Sequence, residues 1–244
     1  MKLEKALFQK SDSFFAVFFL FMLAGFWLTY FTILSEQENY RMHLHGITLI
    51  AWCILLVLQP YLIRTKNYQL HRQVGKLSYV VVGLITLTTL DIYMYRLRGL
   101  DALSTQDYLS ASSVLIALLT FLVFYGLAIF YKSKPGIHAR YMVCTVFALF
   151  TAVFDRMIDS YFSFLLNYFP SVDGQPVRQV FGLTLADTIL FALCIWDWTS
   201  HRRWNVFPVA LLIHLSYHYS VLHFYQFNFW QSFCNWFFEL AKLW

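Results

Sequence analysis

The stretch from Arg41 to Lys76, RMHLHGITLIAWCILLVLQPYLIRTKNYQLHRQVGK, limits the possible fold more than any other part of the chain. Its central apolar run is about 20 residues long, which is the length that an α-helix needs to cross about 30 Å of hydrocarbon. Similar runs recur along the 244 residues, and only 13% of the residues are charged, compared with about 25% in soluble domains. The sequence therefore predicts an integral membrane protein.

Seven apolar segments have the length and composition of membrane spans. The predicted fold class is therefore all-α, an integral membrane bundle of about seven transmembrane helices, with residues 1–244 as one transmembrane domain. We expect the aromatic, weakly charged tail, residues 228–244, to lie at the membrane surface. The predicted spans are residues 14–34, 43–63, 77–97, 109–131, 138–158, 180–198 and 206–225.

The basic residues predict the orientation of this bundle. Cytoplasmic loops of membrane proteins carry an excess of Lys and Arg, and alternate loops lie on the same side of the membrane. The N-terminal segment and the loops after spans two, four and six hold 12 of the 18 Lys and Arg residues. This distribution predicts a cytoplasmic N-terminus, an external C-terminus and a location in the bacterial inner membrane. The 12 residues are Lys2, Lys5, Lys10, Arg64, Lys66, Arg72, Lys76, Lys132, Lys134, Arg140, Arg202 and Arg203.

These loops also explain the net charge of +5, so the expected partner is membrane lipid rather than nucleic acid. The four cysteines lie in apolar contexts without a CxxC spacing, which indicates small buried side chains rather than disulfides or a metal site. The residues with functional chemistry are therefore the histidines and carboxylates of the spans.

Eight histidines occur in the chain, and ionisable groups inside a bilayer are costly and usually functional. In the predicted orientation, His71 and His138 lie at the cytoplasmic ends of spans three and five, where anchoring at the headgroup level is an alternative to ligand binding. His45 lies near the outer end of span two. It shares one stripe of that helix with Trp52 and Gln59, which predicts that its imidazole faces the bundle.

His214 and His218 are four residues apart in span seven, so their imidazoles lie on one face of the helix, a spacing that suits a shared metal ion. At about 1.5 Å per residue, Asp91, Asp155 and Asp187 lie at nearly the same depth. An aspartate at this depth can hold a ligating imidazole in one tautomer, or it can form an ion pair or a proton relay. Hydrogen-bonded packing of buried imidazoles is the remaining alternative.

The three aspartates differ in their sequence neighbours. Arg98 follows Asp91 and Arg156 follows Asp155, so each of these carboxylates has an expected local partner. Asp187 has no such neighbour. Asp187 is therefore the carboxylate that the sequence favours most for a functional role.

Three motifs together resemble an uncharacterised group of bacterial predicted membrane proteins. They are HG-x5-W in span two, LHR-x2-GK at the start of span three, and H-x-R-x-M followed by a later arginine. The resemblance covers residues 42–156 and implies no activity. HG followed by W and then HR is also similar, more weakly, to the di-haem cytochrome b561 type. In that family, histidines on four helices ligate two b haems near the two membrane faces.

The second resemblance implies a b-haem electron carrier, or a factor that serves respiratory enzymes in a membrane complex. It implies His45 as a ligand of the outer haem, and His71 and His138 as ligands of the inner haem. The fourth ligand, His214 or His218, would come from span seven. Here the chain departs from the family, which uses consecutive central helices and has no HxxxH spacing.

A competing resemblance is to the membrane zinc hydrolases of the alkaline ceramidase and progestin/adiponectin receptor type. It consists of seven spans, a histidine in span two, an aspartate in span three and HxxxH in span seven. It implies zinc held by His45, His214 and His218, with Asp91 as the base, and a lipid-like substrate. The chain departs from this family at Arg41, where the family has a serine.

The sequence therefore leaves three functions open. The first is a haem-binding redox protein, which would use histidines at both membrane faces. The second is a zinc-dependent membrane hydrolase, which would use only the outer histidines with Asp91 or Asp187 as the catalytic carboxylate. The third is a non-catalytic transporter, sensor or complex subunit, in which histidines and aspartates form a proton or ion relay.

Overall fold

The computed structural model describes residues 3–243 as a bundle of α-helices. Six helical segments within this range are long and apolar enough to cross a membrane, which is the architecture of a multi-pass membrane protein. These segments are Leu3–Phe31, Tyr40–Arg64, Tyr68–Arg98, Thr105–Phe130, Pro135–Tyr161 and Gln179–His201.

The α-helices are numbered in chain order, and a short hairpin of two strands connects the seventh helix to the eighth. The helices are α1 (Leu3–Phe26), α2 (Tyr40–Arg64), α3 (Tyr68–Arg98), α4 (Thr105–Ala111), α5 (Ala117–Phe130), α6 (Pro135–Phe147), α7 (Phe150–Tyr161), α8 (Gln179–His201), α9 (Phe207–His223) and α10 (Asn228–Leu243). The strands are β1 (Ser171–Val172) and β2 (Gln175–Pro176).

The predicted spans overlap the helices, but several of their bounds differ; helix α3, for example, begins at Tyr68, well before residue 77. Helix α1 begins at Leu3, well before residue 14, because Leu3 and Leu7 are buried against the bundle. The single span predicted over residues 138–158 consists of two helices, α6 and α7. Helix α9 has 17 residues, at the short end of the lengths that cross a bilayer.

Irregular backbone interrupts two of the six span-length segments, Thr105–Phe130 and Pro135–Tyr161. A π-helical segment, Ser112–Ile116, joins α4 to α5, and a turn at residues 148–149 separates α6 from α7. Tyr217 of α9 meets both interruptions, because its hydroxyl donates to the carbonyl oxygen of Ser113 at 3.1 Å and lies 3.0 Å from Oγ1 of Thr151. Irregular backbone at membrane depth needs such internal partners, since lipid offers none.

Two glycines allow close packing around α7. A Cβ atom added at Gly182 of α8 would lie 2.9 Å from Cα of Thr151, and one added at Gly25 of α1 would lie 2.7 Å from the carbonyl oxygen of Val153. Both distances are shorter than van der Waals contact, so only glycine fits at these positions. Helix α7 is therefore held tightly between α1 and α8.

The last helix packs against the bundle through one of its sides. Trp230, Cys234 and Phe238 of α10 are buried in a cluster with residues of α3 and α4. Nε of Arg98 donates to the carbonyl oxygen of Ala241 at 3.1 Å, which anchors the end of the helix. The opposite side of α10 is exposed and aromatic. The tail predicted to lie at the membrane surface is thus an amphipathic helix whose buried side contacts α3 and α4.

Candidate functional site

Asp187 of α8 lies between two histidines of α9. Nδ1 of His214 is 2.6 Å from Oδ1 of Asp187, and Nδ1 of His218 is 2.6 Å from Oδ2. The four-residue spacing of the histidines places both imidazoles on the side of α9 that faces α8. Each carboxylate oxygen therefore meets one imidazole. We call these three residues the Asp187 cluster.

The members of the Asp187 cluster differ in their exposure. The side chain of His214 is completely buried, whereas those of Asp187 and His218 are 14% and 18% exposed. Nε2 of His214 is 3.4 Å from the carbonyl oxygen of Phe147. Phe147 is the last residue of α6, so the interruption between α6 and α7 places this carbonyl group next to the cluster. His218 is the accessible member, and His214 is the enclosed one.

The hydrogen-bond partners determine where the protons must be. An ionised Asp187 only accepts hydrogen bonds, so Nδ1 of both histidines carries a hydrogen. Nε2 of His214 faces a second acceptor, the carbonyl oxygen of Phe147. Only the imidazolium form of His214 donates to both acceptors. Nε2 of His218 has no hydrogen-bond partner among residues 3–243, so it is free to accept a proton.

His45 faces the bundle, as its stripe predicts, because Trp52 on the same stripe is fully buried. Its Nδ1 is 3.2 Å from Oγ1 of Thr88. The Thr88 hydroxyl donates to the carbonyl oxygen of Leu84 at 2.7 Å, so it accepts the hydrogen on Nδ1 of His45. Nε2 of His45 is then an acceptor, and no partner for it lies within the described part of the chain.

Asp91 is not part of the Asp187 cluster. Nε of Arg41 lies 3.1 Å from each of its carboxylate oxygens, which forms an ion pair between the beginning of α2 and the last part of α3. The local partner expected from the sequence, Arg98, instead donates to Ala241 of α10. Arg41, which stands where the zinc hydrolases have a serine, is thus the counter-ion of Asp91.

Asp155 and Arg156 also depart from the expected local pairing. They lie within electrostatic range of each other but do not form an ion pair. Oδ1 of Asp155 is buried without a hydrogen-bond partner among residues 3–243. Arg156 donates from Nη1 to the carbonyl oxygen of Ala152 at 3.2 Å, and its guanidinium lies 4.5 Å from the ring centre of Phe26. Consecutive residues of a helix point about 100° apart, which separates the two side chains.

His71 of α3 and His138 of α6 each have a hydrogen-bond partner at Nδ1. His138 donates from Nδ1 to the carbonyl oxygen of Ala128 at 2.8 Å, which leaves Nε2 as an acceptor. The amide of Gln59 lies 2.5 Å from Nδ1 of His71, in the amide orientation that satisfies its other neighbours. His71 and His138 lie within electrostatic range of each other. His138 therefore has the tautomer in which proteins orient ligating histidines, whereas Nδ1 of His71 accepts from the Gln59 amide and its hydrogen lies on Nε2.

The implied zinc site does not fit these side chains. Within residues 3–243, no group of three or more His, Cys, Asp or Glu side chains is arranged to hold a metal ion. Both ring nitrogens of His214 are used in hydrogen bonds, and Asp91 is engaged by Arg41. A zinc ion needs an unprotonated nitrogen from each histidine, so this set would have to break its hydrogen bonds to bind the ion.

The sequence matches no protein-family model and no curated protein, and no solved structure matches the chain. The function must therefore be inferred from the geometry of the described residues. Sequence reasoning missed the roles of Tyr217, Thr151 and the Phe147 carbonyl group. The position of Tyr217 between the two histidines of α9 was a usable signal, but the helix interruptions that complete the site have no clear marker in the sequence.

Proposed function

We propose that this protein binds and moves protons within the membrane through the Asp187 cluster, as a proton-linked transporter, sensor or subunit of a membrane complex. The observation that carries the proposal is the pair of 2.6 Å hydrogen bonds that join one carboxylate to two imidazoles. Intramembrane chains of Asp and His residues are the usual composition of proton relays. The interrupted helices beside the cluster add support, because broken spans commonly line substrate and ion sites in transporters.

The proton step involves His218 and Asp187. A proton that binds Nε2 of His218 converts its ring to imidazolium, which is a stronger acid at Nδ1. The N–H bond at Nδ1 then breaks as an O–H bond forms at Oδ2 of Asp187, and His218 becomes neutral with its hydrogen on Nε2. The hydrogen bond between His214 and Oδ1 holds the carboxylate of Asp187 in position during the transfer.

We also infer that α9 is a seventh span and that the N-terminus is cytoplasmic, in the plasma membrane of a bacterium. A helix of 17 residues covers about 25 Å, which is close to the hydrocarbon thickness. The distribution of basic residues supports this orientation. The Asp187 cluster would then lie in the outer half of the bilayer, with membrane lipid as the surrounding partner.

Infrared difference spectroscopy of the purified protein tests the proton site without knowledge of a substrate. Between pH 4 and pH 9 we expect imidazole bands to change, and this change should be shifted in Asp187→Asn, which removes the carboxylate that accepts from Nδ1 of both histidines. The imidazole change should be altered in His218→Gln. Asp173→Asn is the control, because Asp173 lies in the hairpin loop outside the helices. Identical imidazole difference bands in the wild type and Asp187→Asn would rule out the relay.

A b-haem protein is the second candidate function, and the hydrogen bond that holds Nδ1 of His138 favours it. Nε2 of His138 is in the tautomer that binds iron, whereas His71, whose Nδ1 accepts from the Gln59 amide, would have to change its tautomer to do so. When bound there, a haem would supply one-electron transfer. A visible spectrum of the purified protein, before and after dithionite, tests this candidate. A Soret band that is lost in His138→Ala would support it, and a featureless spectrum would exclude it.

A further inference from the structure

An open groove of about 440 Å³ lies between α1 and α2, and its lining is almost entirely apolar. The lining includes Asp12, Ala16 and Phe19 of α1 and Ile54, Val57 and Tyr61 of α2. Within each helix these residues are three or four positions apart, so they share one face of the helix. Ala16 leaves room between the helices because its side chain is a single methyl group. The facing surfaces of α1 and α2 thus enclose a space that the side chains of residues 3–243 do not fill.

Helices α1 and α2 are joined on either side of this groove. Near the end of α2, Nη2 of Arg64 is 2.6 Å from Oδ2 of Asp12. Near the beginning of α2, Nδ1 of His43 is 2.9 Å from the hydroxyl oxygen of Tyr30, in the π-helical turn that follows α1. The groove is therefore part of the packed arrangement of these two helices and not a gap between detached ones.

The groove opens on the outer surface of the bundle. Both helices belong to segments that are long and apolar enough to cross a membrane. Val17 and Leu20 of α1, which adjoin the lining residues, are exposed, and so is Ile54 of α2. In a bilayer this surface faces lipid, and an empty apolar space there would lose the dispersion contacts that a hydrocarbon chain provides. The occupant that fits the apolar part of the groove is therefore an acyl chain.

Arg64 places a basic group at one end of the groove. Its guanidinium lies 5.5 Å from the ring centre of Tyr61, which lines the groove, and its side chain is 46% exposed. The ion pair with Asp12 uses Nη2, so Nε and Nη1 can donate to a further acceptor. Lys10 and Lys66, each two residues from this ion pair along the chain, are also exposed. Three basic side chains and one carboxylate give this end a net charge of +2, which favours an anionic group.

We propose that this groove binds a phospholipid, with one acyl chain packed along Ala16 and Val57 and with its phosphate at Arg64. The apolar lining matches the acyl chain, and a guanidinium can donate two parallel hydrogen bonds to phosphate oxygens. Basic residues at the end of a membrane span attract phospholipid headgroups in the same way. The site shares no residue with the Asp187 cluster, so it goes beyond the proposed proton function and is tested independently of it.

Native mass spectrometry of the purified protein in a non-ionic detergent tests the proposal. Phosphatidylglycerol is compared with diacylglycerol that has the same acyl chains and lacks the phosphate. We expect one phosphatidylglycerol molecule to bind saturably, and about tenfold more tightly than diacylglycerol, because only the phospholipid offers oxygens to Arg64. No saturable binding, or equal affinities for the two lipids, would overturn the proposal. A dimer that binds no lipid would also overturn it, because a second copy of the chain would then cover the groove.

One variant tests the apolar part of the groove. Ala16→Phe should weaken the binding of both lipids about fivefold or more, because the added ring occupies the space of the acyl chain. Gly83→Phe on α3 is the control, since nothing lies within 4 Å of an added Cβ there, and it should bind as the wild type does. An unchanged affinity in Ala16→Phe would overturn the proposal.

A second variant tests the basic end. Arg64→Gln should lose the preference for phosphatidylglycerol over diacylglycerol. Arg178→Gln is the control, because it removes the same charge from an ion pair of similar exposure and should keep the preference. If Arg64→Gln does not fold, Arg64→Lys takes its place, since an ammonium keeps the charge beside Asp12 but loses the two-oxygen contact and should reduce the preference. An unchanged preference in the Arg64 variant would remove the phosphate from this site.

Discussion

Arg140 and Asp197 form a two-point ion pair inside the bundle. Nε of Arg140 is 2.9 Å from Oδ2 of Asp197, and Nη2 is 2.8 Å from Oδ1, while Nη1 donates to the carbonyl oxygen of Gly136 at 2.7 Å. The two side chains are only 1% and 3% exposed. The sequence places Arg140 among the basic residues of a loop. In the structure, Arg140 instead connects α6 to α8 through Asp197. Buried pairs of this kind depend on both partners.

Replacing one partner of this ion pair should lower the free energy of unfolding much more than replacing both partners together. Arg140→Met or Asp197→Leu alone leaves one uncompensated buried charge, so we expect each to lower the free energy of unfolding by about 3–5 kcal/mol. The Arg140→Met/Asp197→Leu double variant should recover most of this loss. Chemical unfolding in detergent micelles measures the effect. Arg178→Met, at an exposed pair, should cost less than about 1 kcal/mol. A double variant that loses the sum of both single effects would contradict this expectation.

The close packing of α7 should not tolerate a methyl group at Gly182. Its Cβ would lie 2.9 Å from Cα of Thr151, so the two helices must separate. We expect Gly182→Ala to reduce stability by about 1–3 kcal/mol. Gly126→Ala is the matched control, because nothing lies within 4 Å of an added Cβ there. Equal unfolding midpoints for the two variants would show that α7 and α8 are not in close contact.

Asp187 and His218 should be energetically coupled. We expect His218→Phe to destabilise the wild type more than it destabilises the Asp187→Asn variant, because the amide cannot offer acceptor oxygens to both imidazoles. The coupling energy from the double-mutant cycle should be about 0.5–3 kcal/mol. His223→Phe, on the same helix but outside the Asp187 cluster, should show no coupling to Asp187→Asn. Additive effects of the His218 and Asp187 substitutions would remove His218 from the cluster.

The thiol of Cys234 should react slowly while α10 is packed on the bundle. Burial raises the pKa of Cys234 to about 12. The thiolate is the reactive form, so at pH 8 only about 10⁻⁴ of this thiol is reactive, compared with about a quarter for a free cysteine. The labelling rate with maleimide should therefore rise about tenfold per pH unit.

A matched variant tests whether this protection comes from packing. Cys234→Ser combined with Ser232→Cys moves the thiol to an exposed position two residues earlier on α10. We expect this variant to label rapidly at pH 8, whereas the wild type labels only after denaturation. The other three cysteines are also buried and serve as an internal reference. Rapid labelling of the native wild type at Cys234 would show that α10 is detached.

Sequence reasoning identified the helices and part of the candidate site. Apolar runs of span length predict helices because backbone groups in lipid must bond within their own segment. Counting residues along those helices placed Asp187 level with His214 and His218, and the structure brings the three into contact. The seven-span count, the orientation and the resemblances remain predictions that the structure does not test.

The position of a residue along its helix, however, does not determine which residue of another helix it contacts. Asp91 lies at a similar predicted depth but pairs with Arg41, Oδ1 of Asp155 has no hydrogen-bond partner among residues 3–243, and Arg98 reaches α10. The sequence by itself determined the local periodicity, which follows from the rise and rotation of one α-helix. The rotation of each helix, its interruptions and its partners were decided only by the tertiary structure, because they depend on the simultaneous packing of all the helices, including contacts as close as that of Gly182 with Thr151.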